Sequence, residues 1–258
     1  MSERIKPTIS GSAETMLQSF YARAQYSKNK HNKFYDGYLV DHFCQIFSPY
    51  FTWLFVRLGW TPNYVTSLMI IFGILGATFF VIPSLSFKIV GVLFIYLWYI
   101  MDISDGEVAR ATKTFSKFGQ EFDYTAHVIN HPLFVLSFTL CIIQANILYG
   151  LLIVGLGLVD MIFRNLVAFN SIKMLKESSA ENGTTQESNN SLLKFMKHIF
   201  LSIITFPNFV LVFPVLFLWD TIYCCDYAFV FLCIVLLGSI LVTFLCMRQW
   251  LRTVLNIY

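Results

Sequence analysis

An all-α integral membrane protein, with six transmembrane helices behind an N-terminal interfacial amphipathic helical segment, is the fold class this sequence predicts. Three observations carry the prediction. Of 258 residues, 57% are apolar and only 13% are charged, where a soluble domain carries about 25% charged residues. Charge-free runs recur at the length a bilayer crossing needs, about 20 residues. Lysine and arginine gather on one side of those runs. A net charge of +3 is too weak for a nucleic-acid-binding surface, so no nucleic-acid partner is expected. The six cysteines (Cys44, Cys141, Cys224, Cys225, Cys233 and Cys246) contain no CxxC pair. They read as small hydrophobes rather than as a disulfide framework or a zinc site.

Residues 1–33 form a polar N-terminal segment with no apolar core of a signal peptide. Residues 34–60 interleave Tyr, Phe, Trp and Leu with Asp36, Asp41, His42 and Arg57. That pattern suits helix lying in the membrane interface, apolar face down, with Ser48-Pro49 ending one helix and opening another. Residues 61–258 form the six-helix membrane domain. Thr61-Pro62 starts its first helix, Thr61 as N-cap and Pro62 at N1. Spans are expected at about 63–82, 87–112, 118–144, 147–174, 196–218 and 226–249. The charge-free stretch from Tyr124 to Val159 is too long for one crossing and divides near Gln144-Ala145-Asn146.

All but Lys88 and Arg164 of the 18 lysines and arginines then fall on one side. The positive-inside bias places both termini in the cytoplasm.

One charged cluster interrupts this apolar frame. The second span runs into Asp102, Asp105, Gly106, Glu107, Ala109 and Arg110, and the third opens with Gly119, Asp123, His127 and His131. Asp102 and Asp105 share a helix face at i, i+3, and Asp123, His127 and His131 form a stripe at i, i+4, i+8. A short connection makes the two helices antiparallel neighbours, so the stripes can face each other near the cytoplasmic surface. Three carboxylates converging there repel one another unless a cation sits between them. Hard oxygen ligands supplemented by substrate phosphates suit Mg²⁺. Gly106 and Gly119 leave space for a bulky ligand, and Arg110, Lys113 and Lys117 can meet phosphate oxygens.

The spacing D-x2-D-G-x2-A-R-x8-G-x3-D over Asp102–Asp123 resembles the signature of the CDP-alcohol phosphatidyltransferase family (class I). Thr61-Pro62-Asn63-Tyr64-Val65-Thr66 is similar to the way that family begins its first span. The resemblance implies a six-helix membrane fold, usually a homodimer, working in phospholipid or related phosphodiester biosynthesis. It implies a CDP-linked donor, CDP-diacylglycerol or a CDP-alcohol, bound over a cytoplasm-facing polar cavity. An alcohol or lipid acceptor attacks the phosphorus distal to cytidine, and CMP leaves. Asp102, Asp105 and Asp123 would ligand one or two Mg²⁺ (or Mn²⁺) ions. Gly106, Ala109 and Gly119 would leave room for the cytidine, Arg110 would hold the helix end or touch phosphate, and Asn63 and Thr66 would reach the nucleotide.

His127 stands where the signature has its last Asp, the family's general base and second-metal ligand. Three readings are open. An imidazole titrating near 6.5 is a competent base at neutral pH. It also suits a borderline metal such as Mn²⁺ better than Mg²⁺. The exchange would otherwise mark an inactive scaffold of the same fold. His131, one turn deeper, could substitute in part. In the fourth span Asp160 and Arg164 are spaced i, i+4 at membrane depth, where ionisable residues mark function by default. With Lys173 they would form an acceptor pocket, favouring an anionic acceptor if Arg164 and Lys173 both face the cavity; a structural pair between packed helices is the alternative. A small transporter is the competing class, but no paired repeat with broken helices is visible.

Overall fold

The computed structural model describes residues 38–142, 146–177 and 206–255, with side chains at 43–142, 146–162, 207–245, 247–248 and 251. These residues form seven helices and no strands: α1 (Tyr38–Arg57), α2 (Pro62–Val81), α3 (Leu85–Thr112), α4 (Gly119–Ile142), α5 (Ile147–Glu177), α6 (Phe206–Tyr223) and α7 (Tyr227–Leu255). The expected all-α membrane architecture is the one observed. By length and composition α2, α3, α4 and the Tyr227–Leu245 part of α7 suffice to cross a membrane. Ile147–Ile162 and Pro207–Tyr223 are shorter apolar stretches. The first ten residues of the expected fifth span, 196–205, lie outside the described residues, as does the 1–33 segment.

Helix boundaries follow local chemistry. Thr61 takes the N-cap of α2 with an extended backbone (φ −86°, ψ 157°) and Pro62 follows at its start, though the Thr61 hydroxyl makes no capping bond. The signature helix α3 ends at Lys113, whose left-handed backbone (φ 52°, ψ 28°) stops the helix three residues past Arg110.

One expectation is corrected. Ser48-Pro49 does not divide two helices, and α1 runs unbroken through Pro49. An interior proline loses a backbone hydrogen bond and costs about 3 kcal/mol. Tertiary packing offsets that cost, since both flanking turns are seated on the bundle. Cys44, Ser48 and Pro49 in the first half, and Thr52, Phe55 and Val56 in the second, are all buried. The opposite face of α1 exposes Phe43, Ile46, Phe47, Tyr50 and Leu54, an apolar surface suited to lipid.

The bundle is organised around α2, which packs on both α3 and α4. Two glycines let α2 and α3 close on each other. A Cβ at Gly91 would lie 2.7 Å from the Phe80 nitrogen, and one at Gly76 would lie 2.8 Å from Ile95 Cγ1. The helices that carry the signature, α3 and α4, make at most marginal backbone contact with each other. They are antiparallel, because contacts climb α4 as they descend α3: Asp102 faces His127, and Trp98 meets His131 and Phe134.

At the end remote from the signature the core is aromatic. Phe138 of α4 meets Phe80 of α2 at 5.2 Å and Phe213 of α6 at 5.2 Å between centroids. Lys88 caps this end. Its ammonium donates to the Phe80 carbonyl at 2.9 Å and lies 5.1 Å from the Phe80 ring centre. That carbonyl belongs to the last turn of α2, where a cation is favoured.

Candidate active site

Side chains bridge the gap that the α3 and α4 backbones leave. Asp102 on α3, with Asp123 and His127 on α4, offer three ligand atoms within 4.8 Å of one another. His127 Nε2 lies 3.0 Å from Asp102 Oδ1 and 3.5 Å from Asp123 Oδ1. All three residues are half-buried, so the group sits in a wall yet stays reachable. Two carboxylate oxygens and an imidazole nitrogen converging at that separation fit a divalent cation. The oxygens suit Mg²⁺, and the nitrogen also admits Mn²⁺.

Asp105 is on the same helix but is held differently. Its Oδ2 accepts a 2.7 Å hydrogen bond from the Thr66 hydroxyl of α2. The metal-sized group among the described residues is therefore Asp102, Asp123 and His127, with Asp105 beside it and tied to α2. Thr66 is buried, and its hydroxyl serves this carboxylate. Asn63, one turn earlier, donates to Ser116 Oγ at 3.4 Å and so tethers the α3–α4 connection.

The small residues of the signature behave unequally. Over Gly106 the space is taken by Arg110 itself, whose guanidinium nitrogen would lie 2.9 Å from a Cβ there. Over Gly119 the nearest atom is Ser116 Cβ at 3.5 Å, so that position is open. Ala109 and Arg110 are half-buried, while Lys113 and Lys117 are exposed beside the opening.

Behind His127 a second polar line runs toward α5. His127 Nδ1 is 3.2 Å from His131 Nε2, and His131 Nδ1 is 3.3 Å from Asp160 Oδ2. Trp98, fully buried, stands steeply inclined to both rings, with ring centroids 6.0 and 5.8 Å away. Asp160 thus meets His131 across the α4–α5 contact. Arg164 and Lys173 lie on α5, but their side chains fall outside the described residues.

Glu107 is a residue that sequence reasoning missed. It lies inside the signature yet is buried, and it accepts hydrogen bonds from Ser48 Oγ at 3.1 Å and Thr52 Oγ1 at 2.7 Å. Five residues past Asp102 and two past Asp105, Glu107 does not share their helix face, and on sequence alone a carboxylate there looks solvated. Only the hydroxyl pair at Ser48 and Thr52, one helical turn apart, hints at a buried anion.

The family model for CDP-alcohol phosphatidyltransferase matches residues 59–236. That range takes in α2, the whole signature, and helices through the first part of α7. No curated protein matches the chain.

Proposed function

The chain belongs to the CDP-alcohol phosphatidyltransferase family, and on that premise we propose that it moves a substituted phosphoryl group from a CDP-linked donor to an acceptor hydroxyl, releasing CMP. Membership makes it an integral membrane transferase of phosphate-containing groups, acting between a CDP-alcohol donor and an alcohol acceptor. The observation that carries the finer reading is the meeting of Asp102, Asp123 and His127 across the α3–α4 gap.

The family is divalent-metal dependent. In this reading Asp102, Asp105 and Asp123 hold Mg²⁺ or Mn²⁺, with Asp105 preset by Thr66. A cation bound there would neutralise diphosphate charge and favour in-line displacement. Arg110, Lys113 and Lys117 meet phosphate oxygens at the opening, and the open space at Gly119 accommodates the nucleotide. His127 acts as general base, its Nε2 taking the proton of the acceptor hydroxyl. The acceptor oxygen forms the new bond to phosphorus, and the bond to the CMP oxygen breaks with its electron pair. Donors of two kinds fit this chemistry, CDP-diacylglycerol with a small polar alcohol and a CDP-linked small alcohol with a lipid or polyol. Arg164 and Lys173 favour an anionic acceptor. The site and both termini face the cytoplasm, following the lysine and arginine bias, and the active form is a homodimer.

The test is CMP formation by detergent-purified protein offered a panel of CDP-alcohols with Mg²⁺ or Mn²⁺. Release with one donor class, abolished by EDTA and restored by the metal, is the expected result. No release with any donor, from folded protein that still binds the metal, would identify an inactive scaffold.

A further inference from the structure

The end of the bundle remote from the signature holds an amine and a thiol that the transferase reading does not use. Lys88 lies in the first turn of α3 and Cys141 in the last turn of α4. One turn before Cys141, Ser137 seats α4 on α2, its hydroxyl donating to the Ala77 carbonyl at 2.7 Å. The Lys88 side chain is held by its surroundings. Its Nζ donates to the Phe80 carbonyl at 2.9 Å, and the ring centres of Phe80 on α2 and Phe217 on α6 lie 5.1 and 5.8 Å away. Those contacts bring Nζ to 2.6 Å from Cys141 Sγ.

That separation is shorter than a hydrogen bond between these two atoms explains. An N–H···O bond spans about 2.7–3.2 Å between heavy atoms, and sulfur is a larger atom than oxygen. A direct nitrogen–sulfur bond would be much shorter than the observed distance. Two atoms bonded to one common oxygen stand this far apart. Cys141 is in no disulfide and is only partly buried. Dioxygen, being apolar, enters such an aromatic setting readily.

We propose that Lys88 and Cys141 are a modification site, joined by dioxygen into a thiol-reversible Nζ–O–Sγ bridge. The Lys88 ammonium first gives one proton to solvent. One N–H bond, the S–H bond and the O–O bond then break, and N–O and O–S bonds form. One oxygen atom becomes the bridge, and the other leaves as water with the two hydrogens. Dioxygen takes four electrons, two from nitrogen and two from sulfur. The N–H that remains still donates to the Phe80 carbonyl. The bridge ties α3 to α4, whose backbones scarcely meet. It joins residues 53 apart in the chain, which restricts the unfolded state as a disulfide does. On the proposed topology this end faces away from the cytoplasm, whose thiol pools keep oxidised links reduced. The pair lies at the opposite end of both helices from Asp102 and Asp123, so its chemistry is independent of the transferase reading.

The test uses full-length protein in detergent, reduced with dithiothreitol and desalted under argon. One portion stays under argon and another is exposed to dioxygen. Free thiols are alkylated, and peptic fragments are mapped by tandem mass spectrometry. The expected result, in the exposed portion alone, is two fragments joined at Lys88 and Cys141. Their mass should exceed the sum of the free fragments by about 14 Da, two hydrogens lost and one oxygen gained. With ¹⁸O₂ the excess should be about 16 Da. Dithiothreitol should return both fragments, with Cys141 open to alkylation. The bridged protein should melt several degrees above the reduced protein. Lys88→Arg keeps the positive charge and Cys141→Ser keeps the small polar group. Each should abolish the joined fragments and the thiol-reversible gain in Tm. Cys141 alkylated in full after exposure to dioxygen, or oxidised with no link to Lys88, would overturn the proposal. So would a thiol-reversible gain in Tm that survives in Lys88→Arg.

Discussion

The two ends of the α2–α3–α4 unit are built on opposite plans. At the signature end α3 and α4 stand apart, and carboxylates and imidazoles fill the space between them. At the far end α2 and α3 touch through Gly76 and Gly91, and aromatic rings from α2, α4 and α6 close the core. The difference separates two demands on one three-helix unit. Close packing that excludes everything is placed where no ligand has to enter. Like charges that destabilise the empty protein are placed where a divalent cation would supply the missing counter-charge.

Substitutions at each end should therefore fail in different ways. The largest effect is expected for Asp102→Asn or Asp123→Asn. CMP release should fall about a thousand-fold, equivalent to about 4 kcal/mol, while thermal stability in detergent holds or rises because repulsion is relieved. A parallel loss of activity and melting temperature would break the comparison. Gly91→Val should show the reverse pattern. Its side chain would run into the Phe80 backbone, destabilising the fold by about 1–3 kcal/mol. The fraction that remains folded should keep the wild-type KM for the donor.

Glu107→Ala tests a place where the two plans meet. It strands the Ser48 and Thr52 hydroxyls of α1, at a cost of about 1–3 kcal/mol if they find no new partner. Faster protease cleavage within α1, with unchanged Mg²⁺ affinity, is the expected outcome. The smallest effect belongs to Lys88→Met. The thioether keeps the apolar stem over Phe80 and gives up only the ammonium contacts, about 1 kcal/mol. Melting temperature should shift by a few degrees and CMP release should not change.

The sequence was informative where chemistry is local and less so where it depends on neighbours. Charge-free runs located α2, α3 and α4 to within two or three residues, because length and apolarity alone decide a bilayer crossing. The i, i+4 spacing put Asp123 and His127 on one stripe, and helical geometry made their meeting with Asp102 foreseeable. The contact of His131 with Asp160, and of Thr66 with Asp105, joins residues on separate helices, and nothing in linear spacing announces either. The expected break at Pro49 shows the same limit. Local propensity argued for two helices, and packing on the bundle made one.

Because α3 and α4 scarcely touch, the distance between the two halves of the signature is set by a third helix. Asn130 of α4 lodges against Gly73 of α2, leaving no room there for a Cβ, and its amide nitrogen reaches the Met69 carbonyl at 3.5 Å. The spacing of α4 from α2 thus depends on the contact at Gly73, about two helical turns from Thr66 and outside the signature. A methyl group at Gly73 would collide with the Asn130 amide, so that either this side chain turns away and gives up the Met69 carbonyl or α4 moves outward, carrying Asp123 and His127 with it.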